Sequence, residues 1–255
     1  MKILILNPIL CTHHNNIIPV RNSIKDTMIY TLARGFKSLG HEVTLVAADD
    51  YRPTDAEEYE CEVLFFKSRF KRLFQPSVLP FSPDTFRWLR RNHQRYDLII
   101  ASETFSFPSL FAAICAPKRT IIWQELDLHQ RKFRKIPSKL WHNVIARCIM
   151  SRVNCVVPRS LSAGRFISRY MPRVTDEIVE HGVDVDKFRF ADRKGRYLIS
   201  TAQLIPRKNV DKIIKVFSRL HQLEGYRDVQ LVIAGTGVEE QTFAAWSLTL
   251  ALMMS

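Results

Sequence analysis

The sequence lacks several features that would identify a protein class at once. It has no apolar run approaching the ~18–20 residues of a membrane-spanning helix. Its start, MKILILNPIL, has neither the longer apolar region nor the cleavage site of a signal peptide. Its five cysteines are odd in number and form no Cys-x-x-Cys pair, and no zinc-ligand spacing occurs. We therefore expect a cytoplasmic protein with reduced cysteines.

Positive charge is the unusual feature of the composition. The 38 Lys and Arg residues outnumber the 25 acidic residues and give a net charge of +13. This excess favours anionic partners, among which nucleic acid, acidic lipid headgroups and sugar nucleotides all qualify. No recognisable nucleic-acid-binding motif accompanies the basic segments, so nucleic acid is the least favoured of the three.

One basic segment, residues 69–83, also carries several large apolar side chains. Two interpretations stay open for it. It is an exposed amphipathic loop that meets anionic lipid, or a surface loop whose apolar residues cover the core. The apolar residues are Phe70, Leu73, Phe74, Leu79 and Phe81.

Unbroken apolar runs alternate with segments of helical periodicity, which is typical of an α/β fold with a buried parallel sheet. Ser23 and Asp26 resemble a capping box and predict a helix over residues 24–39. A further helix is predicted over 137–151. The predicted strands of this first part cover residues 2–6, 41–47, 62–67, 96–101, 119–123 and 155–157.

A second strand–loop–helix–strand unit begins at Tyr197. The apolar run 197–201 is followed by a polar turn, a helical pattern from Val210 to Leu220, and a second apolar run over 229–234. Loops at the carboxyl ends of parallel strands form one rim, where ligands bind. Lys208, near the helix start, adds its charge to unpaired helix N–H groups and so suits a phosphate.

Two parts of this chain, the unit after Tyr197 and a segment upstream of it, resemble the family 4 retaining glycosyltransferases. Residues 202–209, Ala-Gln-Leu-Ile-Pro-Arg-Lys-Asn, resemble the family's Gly-Arg-Leu-x-x-x-Lys-Gly, and Gly235-Thr-Gly237 resembles its Gly-x-Gly. Upstream, the segment that begins His181-Gly-Val-Asp resembles the family's Asn-Gly-Val-Asp crossover between domains. Both segments occur in the family's order, which makes the pair more specific than either alone.

The resemblance implies a GT-B-like fold. Residues 1–190 would form one complete doubly wound Rossmann-like domain on the acceptor side, and residues 191–240 the beginning of a nucleotide-sugar domain. Residues 241–255 form an atypical apolar tail without the family's paired-glutamate motif. We expect from this that the second domain is truncated.

The resemblance also implies a set of site residues. Gln203 replaces the family's arginine, and Lys208 matches the lysine that contacts the donor diphosphate. On the acceptor side, Ser102 and Glu103 follow one strand and His13 lies in the first loop. Glu125 and Asp127 either orient an acceptor hydroxyl as weak catalytic candidates or are ordinary loop carboxylates. The implied donor-binding residues are Lys208, Arg207, Gln203, Gly182, Gly235 and Thr236.

The implied function is transfer of a sugar from a nucleotide-diphosphate donor to a polysaccharide or lipid-linked acceptor, with retention of anomeric configuration. The resemblance implies no metal and no cofactor beyond the nucleotide sugar. The basic surface of this cytoplasmic protein is either a solvated face or a patch in peripheral contact with the inner face of a membrane. The alternative is a non-catalytic, degenerate transferase domain that acts as a binding or interaction protein.

Overall fold

The computed structural model describes residues 1–11, 18, 22–130, 135–183, 185, 190 and 192–245. Its Cα positions divide the chain into two compact units, Met1–Val185 and Asp186–Ser255.

The first unit is built on a six-stranded sheet in which all neighbouring strands are parallel. The strand order is β3-β2-β1-β4-β5-β6. The order reverses direction between β1 and β4, which is the topological switch point of a doubly wound sheet. The strands are β1 (Lys2–Leu6), β2 (Glu42–Ala48), β3 (Glu62–Phe66), β4 (Leu98–Ser102), β5 (Thr120–Gln124) and β6 (Cys155–Pro158).

Helices cover both faces of this sheet, which confirms the predicted α/β, Rossmann-like architecture. Alternate residues of β1 enter two separate cores: Leu4 and Leu6 join one, and Ile3 and Ile5 join the other. Because both faces are buried, the strands are continuous apolar runs. The helices are α1 (Met28–Ser38), α2 (Pro83–Asn92), α3 (Phe107–Cys115), α4 (Ile136–Leu140) and α5 (Leu161–Ile167).

Two predicted helices differ from the observed ones. The prediction that α1 begins at residue 24 is wrong: its N-cap is Thr27, whose hydroxyl accepts a hydrogen bond from the Tyr30 N–H at 3.4 Å. Ser23 donates its hydroxyl hydrogen to Glu57, which lies 34 residues away in sequence, so a long-range contact replaces the capping box.

The prediction that residues 137–151 are helical is confirmed for almost all of the segment, but the segment is not one regular α-helix. The short α4 continues as a π-helical turn over Trp141–Ala146, and a 3-10 turn follows at Met150–Arg152. The π-helical turn buries Trp141 and His142. Trp141 donates its indole N–H to the carbonyl of Thr104 at 2.8 Å, so tertiary contacts accompany this departure from α-helical geometry.

The second unit contains the predicted strand–loop–helix–strand pattern. The strands β7 (Tyr197–Thr201) and β8 (Gln230–Ala234) are parallel, and α6 (Val210–Leu220) connects them. A small core joins four apolar residues, Leu204, Val210, Ile214 and Phe243. Of the predicted tail over 241–255, residues 246–255 lie outside the described part of the chain.

Candidate functional site

The carboxyl edge of the first unit's sheet brings together residues that follow three neighbouring strands. The strand β4 ends at Ser102, one residue later than predicted, so Ser102 belongs to the strand and does not follow it. The Ser102 carbonyl accepts a hydrogen bond from the Ser109 hydroxyl at 3.0 Å. Glu103 follows β4, Glu125 follows β5 and Arg159 follows β6. Because parallel strands end at the same edge, these three charged side chains form one rim.

Glu103 connects the ends of β4 and β5 by hydrogen bonds. Its backbone has φ = 66°, a left-handed conformation that is uncommon for a residue other than glycine. The Glu103 N–H donates to the Trp123 carbonyl at 3.1 Å. Its carboxylate accepts the N–H groups of Glu125 at 2.8 Å and Leu126 at 3.2 Å. The predicted acceptor-side residue Glu103 therefore also fixes the backbone that carries Glu125.

Burial raises the pKa of the Glu103 carboxyl to about 7 from its ordinary value of 4.5. The two backbone N–H groups oppose this rise, because they stabilise the ionised form. Among the nearby charges, the Glu125 carboxylate raises the pKa and the Arg159 guanidinium lowers it. Glu103 thus changes its charge close to neutral pH.

Arg159 is the central cation of the rim, and sequence reasoning missed it. Its side chain is only 9% exposed, and its guanidinium lies 4.3 Å from the centre of the Trp123 ring. Nη1 pairs with the Glu125 carboxylate at 2.7 Å, and Nη2 contacts Nδ1 of His181. The position of Arg159 directly after a buried strand was the one signal available in the sequence.

The other side chains of the β5 loop divide into buried and exposed groups. Gln124 is fully buried, and its side-chain Oε1 accepts both the N–H and the hydroxyl of Thr104 at 2.9 Å. The same hydroxyl contacts Nε2 of the buried His142 at 3.2 Å. Asp127 and Glu125 are exposed, so the two catalytic candidates face solvent.

The domain-crossover segment is only partly described. His181 and Gly182 are exposed, and a Cβ placed on Gly182 would meet no atom within 4 Å. The structure therefore shows no close backbone approach that requires glycine at residue 182. His13, Asp184 and residues 186–188 lie outside the described part of the chain.

In the second unit, the loop after β7 presents two cations. Pro206–Lys208 form a 3-10 turn, and Asn209 is the N-cap of α6 in a left-handed conformation, φ = 53°. The Asn209 side chain makes no capping hydrogen bond to this helix. Arg207 and Lys208 are exposed, and among the described residues neither pairs with a carboxylate. Two exposed cations thus precede the first N–H groups of α6, and the assignment of Lys208 to a phosphate stays a prediction.

Two glycines bring the loops after β7 and β8 into direct backbone contact. A Cβ on Gly235 would lie 1.8 Å from the Ala202 carbonyl oxygen, and one on Gly237 would lie 2.2 Å from that of Leu204. The Leu204 N–H donates to the Thr236 carbonyl at 2.9 Å. Gln203 is partly buried between these contacts, whereas Thr236 is exposed. The Gly-x-Gly motif is therefore needed for loop packing, a role that sequence reasoning missed.

Two further properties of the described residues bear on the site. In that part of the chain, no group of three His, Cys, Asp or Glu side chains is arranged to hold a metal ion. None of the helices in the same ranges is long and apolar enough to cross a membrane.

Solved structures share this fold at low sequence identity. Sucrose-phosphate synthase from Thermosynechococcus elongatus superposes with a TM-score of 0.60 at 12% identity, over 98% of this chain and 68% of that chain. TarM superposes with a TM-score of 0.55 at 10% identity, over 96% of this chain and 73% of that chain. These likenesses establish the GT-B-like fold.

Among curated proteins, none matches the sequence at a significant level. By contrast, residues 26–187 match the sequence model of the family described as Glycosyltransferase Family 4. The match covers more than half of the chain and includes the rim residues Glu103, Glu125 and Arg159. The chain therefore belongs to Glycosyltransferase Family 4.

Proposed function

We propose that the protein transfers a sugar from a nucleotide-diphosphate donor to a saccharide or lipid-linked acceptor, with retention of anomeric configuration. The observation that carries the donor side of this proposal is the cationic loop before α6. Arg207 and Lys208 are exposed there without ionic partners among the described residues, so their charge is available to a ligand.

The chemistry of glycosyl transfer explains why this loop suits the donor. When the bond between the sugar and the diphosphate breaks, negative charge develops on the leaving diphosphate. Fixed positive groups and helix N–H groups stabilise that charge more than they stabilise the ground state. The Asp211 carboxylate in the first turn of α6 opposes this effect, but it pairs with Lys215 at 3.3 Å. We assign Lys208 as the principal diphosphate contact and Arg207 as its helper.

The loop is preorganised by its backbone contacts. Gly235 and Gly237 allow the loops after β7 and β8 to touch, and the Leu204 and Glu239 N–H groups hydrogen-bond across them. We propose that Gln203, Gly235 and Thr236 line the donor site from these two loops, and Gly182 stays a candidate from the sequence resemblance alone. Such a site would need little rearrangement on binding, which lowers the cost of ordering it.

We assign the rim of the first unit to the acceptor. Ser102, Glu103 and the exposed carboxylates of Glu125 and Asp127 offer hydrogen-bond acceptors to sugar hydroxyls. Arg159 holds the Glu125 carboxylate at 2.7 Å, so this side chain is oriented before any ligand arrives. We propose that Glu125 orients the attacking hydroxyl and that Asp127 and His13 contribute to acceptor binding.

Calorimetric titration of the chain with UDP and GDP tests the donor assignment. We expect at least one nucleotide to bind, and Lys208→Ala to weaken that binding about tenfold to a hundredfold, since a charge-assisted contact is lost. Lys194→Ala is the matched control, because Lys194 is an exposed lysine of the second unit that precedes β7, at the opposite end of that strand. Equal binding by the folded parent and Lys208→Ala proteins would remove Lys208 from the site. A folded parent that binds neither nucleotide would favour a non-catalytic domain.

A further inference from the structure

The segment that follows β3 forms an exposed turn that joins positive charge to apolar surface. We name residues 67–75 the basic-aromatic turn. The N–H groups of Leu73 and Phe74 both donate to the Phe70 carbonyl at 2.9 Å, which closes one helical turn. Phe70 begins that turn in a left-handed conformation with φ = 51°.

The two sides of the basic-aromatic turn differ sharply. Phe74 packs inward, with its ring centre 4.9 Å from that of Phe107 and 5.4 Å from that of Phe81. Phe70 and Leu73 are 68% and 75% exposed, and the Phe70 ring centre lies 6.1 Å from that of Phe81. The inner contacts anchor the turn on the core, so the two outer side chains are held in solvent. The segment therefore covers the core with Phe74 and leaves Phe70 and Leu73 exposed, and its contact with lipid stays a prediction.

Positive charge surrounds these two apolar side chains. Four exposed cations, Lys67, Arg69, Lys71 and Arg72, lie in the turn, and the sequence has no acidic residue between Glu62 and Asp84. Lys71 pairs with Asp50 at 2.5 Å and Arg69 lies 3.8 Å from Asp84. In the described ranges, Lys67 and Arg72 have no acidic partner within ion-pair distance. The turn therefore has a net positive charge next to the exposed side chains of Phe70 and Leu73.

We propose that the basic-aromatic turn docks this protein onto an anionic lipid surface. Phe70 and Leu73 would enter the boundary between headgroups and acyl chains, while Lys67 and Arg72 would reach the lipid phosphates. This pairing of apolar and cationic groups suits an interface that is apolar on one side and anionic on the other. A nucleic acid would use the cations but would leave the Leu73 side chain in water.

The basic-aromatic turn lies at the same edge of the sheet as the rim that we assign to the acceptor. The proposal of lipid docking does not depend on donor binding. The turn follows the carboxyl end of β3, at the same edge of the sheet as Ser102 and Glu103 after β4. Three strand spacings separate β3 from β4, which is about 14 Å. A lipid surface held by the turn would thus face the edge at which we place the acceptor.

Cosedimentation with vesicles tests this proposal. The full chain is mixed with vesicles of phosphatidylglycerol and phosphatidylcholine, and separately with vesicles of phosphatidylcholine alone. We expect binding to the anionic vesicles only. Phe70→Ser combined with Leu73→Ser should lower the partition coefficient at least tenfold, because the inserted side chains are lost. Lys67→Gln combined with Arg72→Gln should lower it about twenty-fivefold, about fivefold for each charge.

Two control variants separate docking from general attraction. Leu39→Ser removes an apolar side chain that is 73% exposed at the end of α1, and it should bind as the parent does. Lys118→Gln combined with Arg152→Gln removes two exposed cations that precede β5 and β6, at the opposite edge of the sheet. Circular dichroism confirms that each variant is folded.

Three results would overturn the proposal. The folded parent could fail to bind anionic vesicles, or the Phe70 and Leu73 double variant could bind as well as the parent. The third result is that the Lys118 and Arg152 control loses as much vesicle binding as the Lys67 and Arg72 double variant. This would show that net charge alone attracts the protein to the vesicles. Titration with a DNA duplex identifies the alternative partner. Binding that depends on Lys67 and Arg72 but not on Phe70 and Leu73 would assign the turn to a nucleic acid.

Discussion

The rim of the first unit and the cationic loop of the second are built in different ways. At the rim, charged side chains hold one another: Arg159 lies against Trp123 and pairs with Glu125, and Glu103 accepts two backbone N–H groups. In the loop, main-chain contacts across Gly235 and Gly237 set the shape, and Arg207 and Lys208 remain exposed.

This difference indicates which charges are structural and which are available to a ligand. A rim cation such as Arg159 already contacts Trp123 and pairs with Glu125, so removing it should lower stability. A loop cation such as Lys208 has no ionic partner in the described part of the chain, so removing it should lower ligand binding and leave stability nearly unchanged. Four substitutions test this comparison.

Gly235→Ala should have the largest effect. Its Cβ would lie 1.8 Å from the Ala202 carbonyl oxygen, so the two loops must separate and Leu204 must shift within its small core. We expect a loss of at least about 3 kcal/mol in the free energy of unfolding of the second unit, by urea denaturation. Gly182→Ala is the control, since its Cβ meets nothing within 4 Å, and it should change stability by less than about 0.5 kcal/mol. Similar losses in both variants would show that backbone contact does not hold the loop.

Glu103→Gln should change how stability depends on pH. Burial raises the pKa of Glu103 from 4.5 to about 7, so the folded protein takes up this proton more readily than the unfolded chain. The contribution of protonated Glu103 to the free energy of unfolding is fully present below pH 4.5. This contribution is lost as the pH rises to 7 and above.

Relative to Glu103→Gln, the parent should therefore lose up to about 3 kcal/mol of stability across this window. Urea denaturation at a series of pH values measures the difference between the two proteins. Parallel pH curves for parent and variant would contradict the assignment of a strongly raised pKa to this buried carboxyl.

Arg159→Met should cost about 2 kcal/mol in the free energy of unfolding, because the contact with the Trp123 ring and the pair with Glu125 are lost. The Glu125 side chain is 60% exposed, so solvent weakens its attraction to Arg159 and the ion pair contributes little of this loss. Arg165→Met is the matched control, because Arg165 is an exposed arginine on α5. A loss at Arg159 no larger than at Arg165 would mean that the rim does not depend on its central cation.

Lys208→Ala should have the smallest effect on stability, within about 0.5 kcal/mol of the parent. The side chain is exposed and makes no ion pair among the described residues. Urea denaturation of the same protein preparation used for nucleotide titration checks this. A large loss of stability would assign Lys208 to the fold and would weaken its assignment to the donor.

Local sequence patterns predicted most of the fold. The strands Lys2–Leu6 and Tyr197–Thr201 were predicted with their observed bounds, because each is an unbroken apolar run next to a turn. The predicted start of α1 was wrong, since Ser23 interacts with Glu57, a partner far away in sequence. The segment 137–151 is helical as predicted, but its π-helical turn, where Trp141 and His142 pack beside Thr104, was not predicted.

The site was predictable in position but not in its interactions. Glu103 and Glu125 each follow a predicted parallel strand, and this predicted that they lie at one edge of the sheet. Nothing local to Arg159 indicates that it lies over Trp123, since that contact depends on the register of β5 and β6. The packing role of Gly235 likewise depends on two loops that are more than thirty residues apart in sequence.

Amide hydrogen exchange in the presence and absence of UDP and GDP tests the central claim most directly. The claim is that the loop before α6, and not the rim, binds the donor diphosphate. Exchange should slow in peptides covering residues 203–214 and 235–240, and should stay unchanged in those covering residues 99–127. Slower exchange at the rim with no change at the loop would contradict the account.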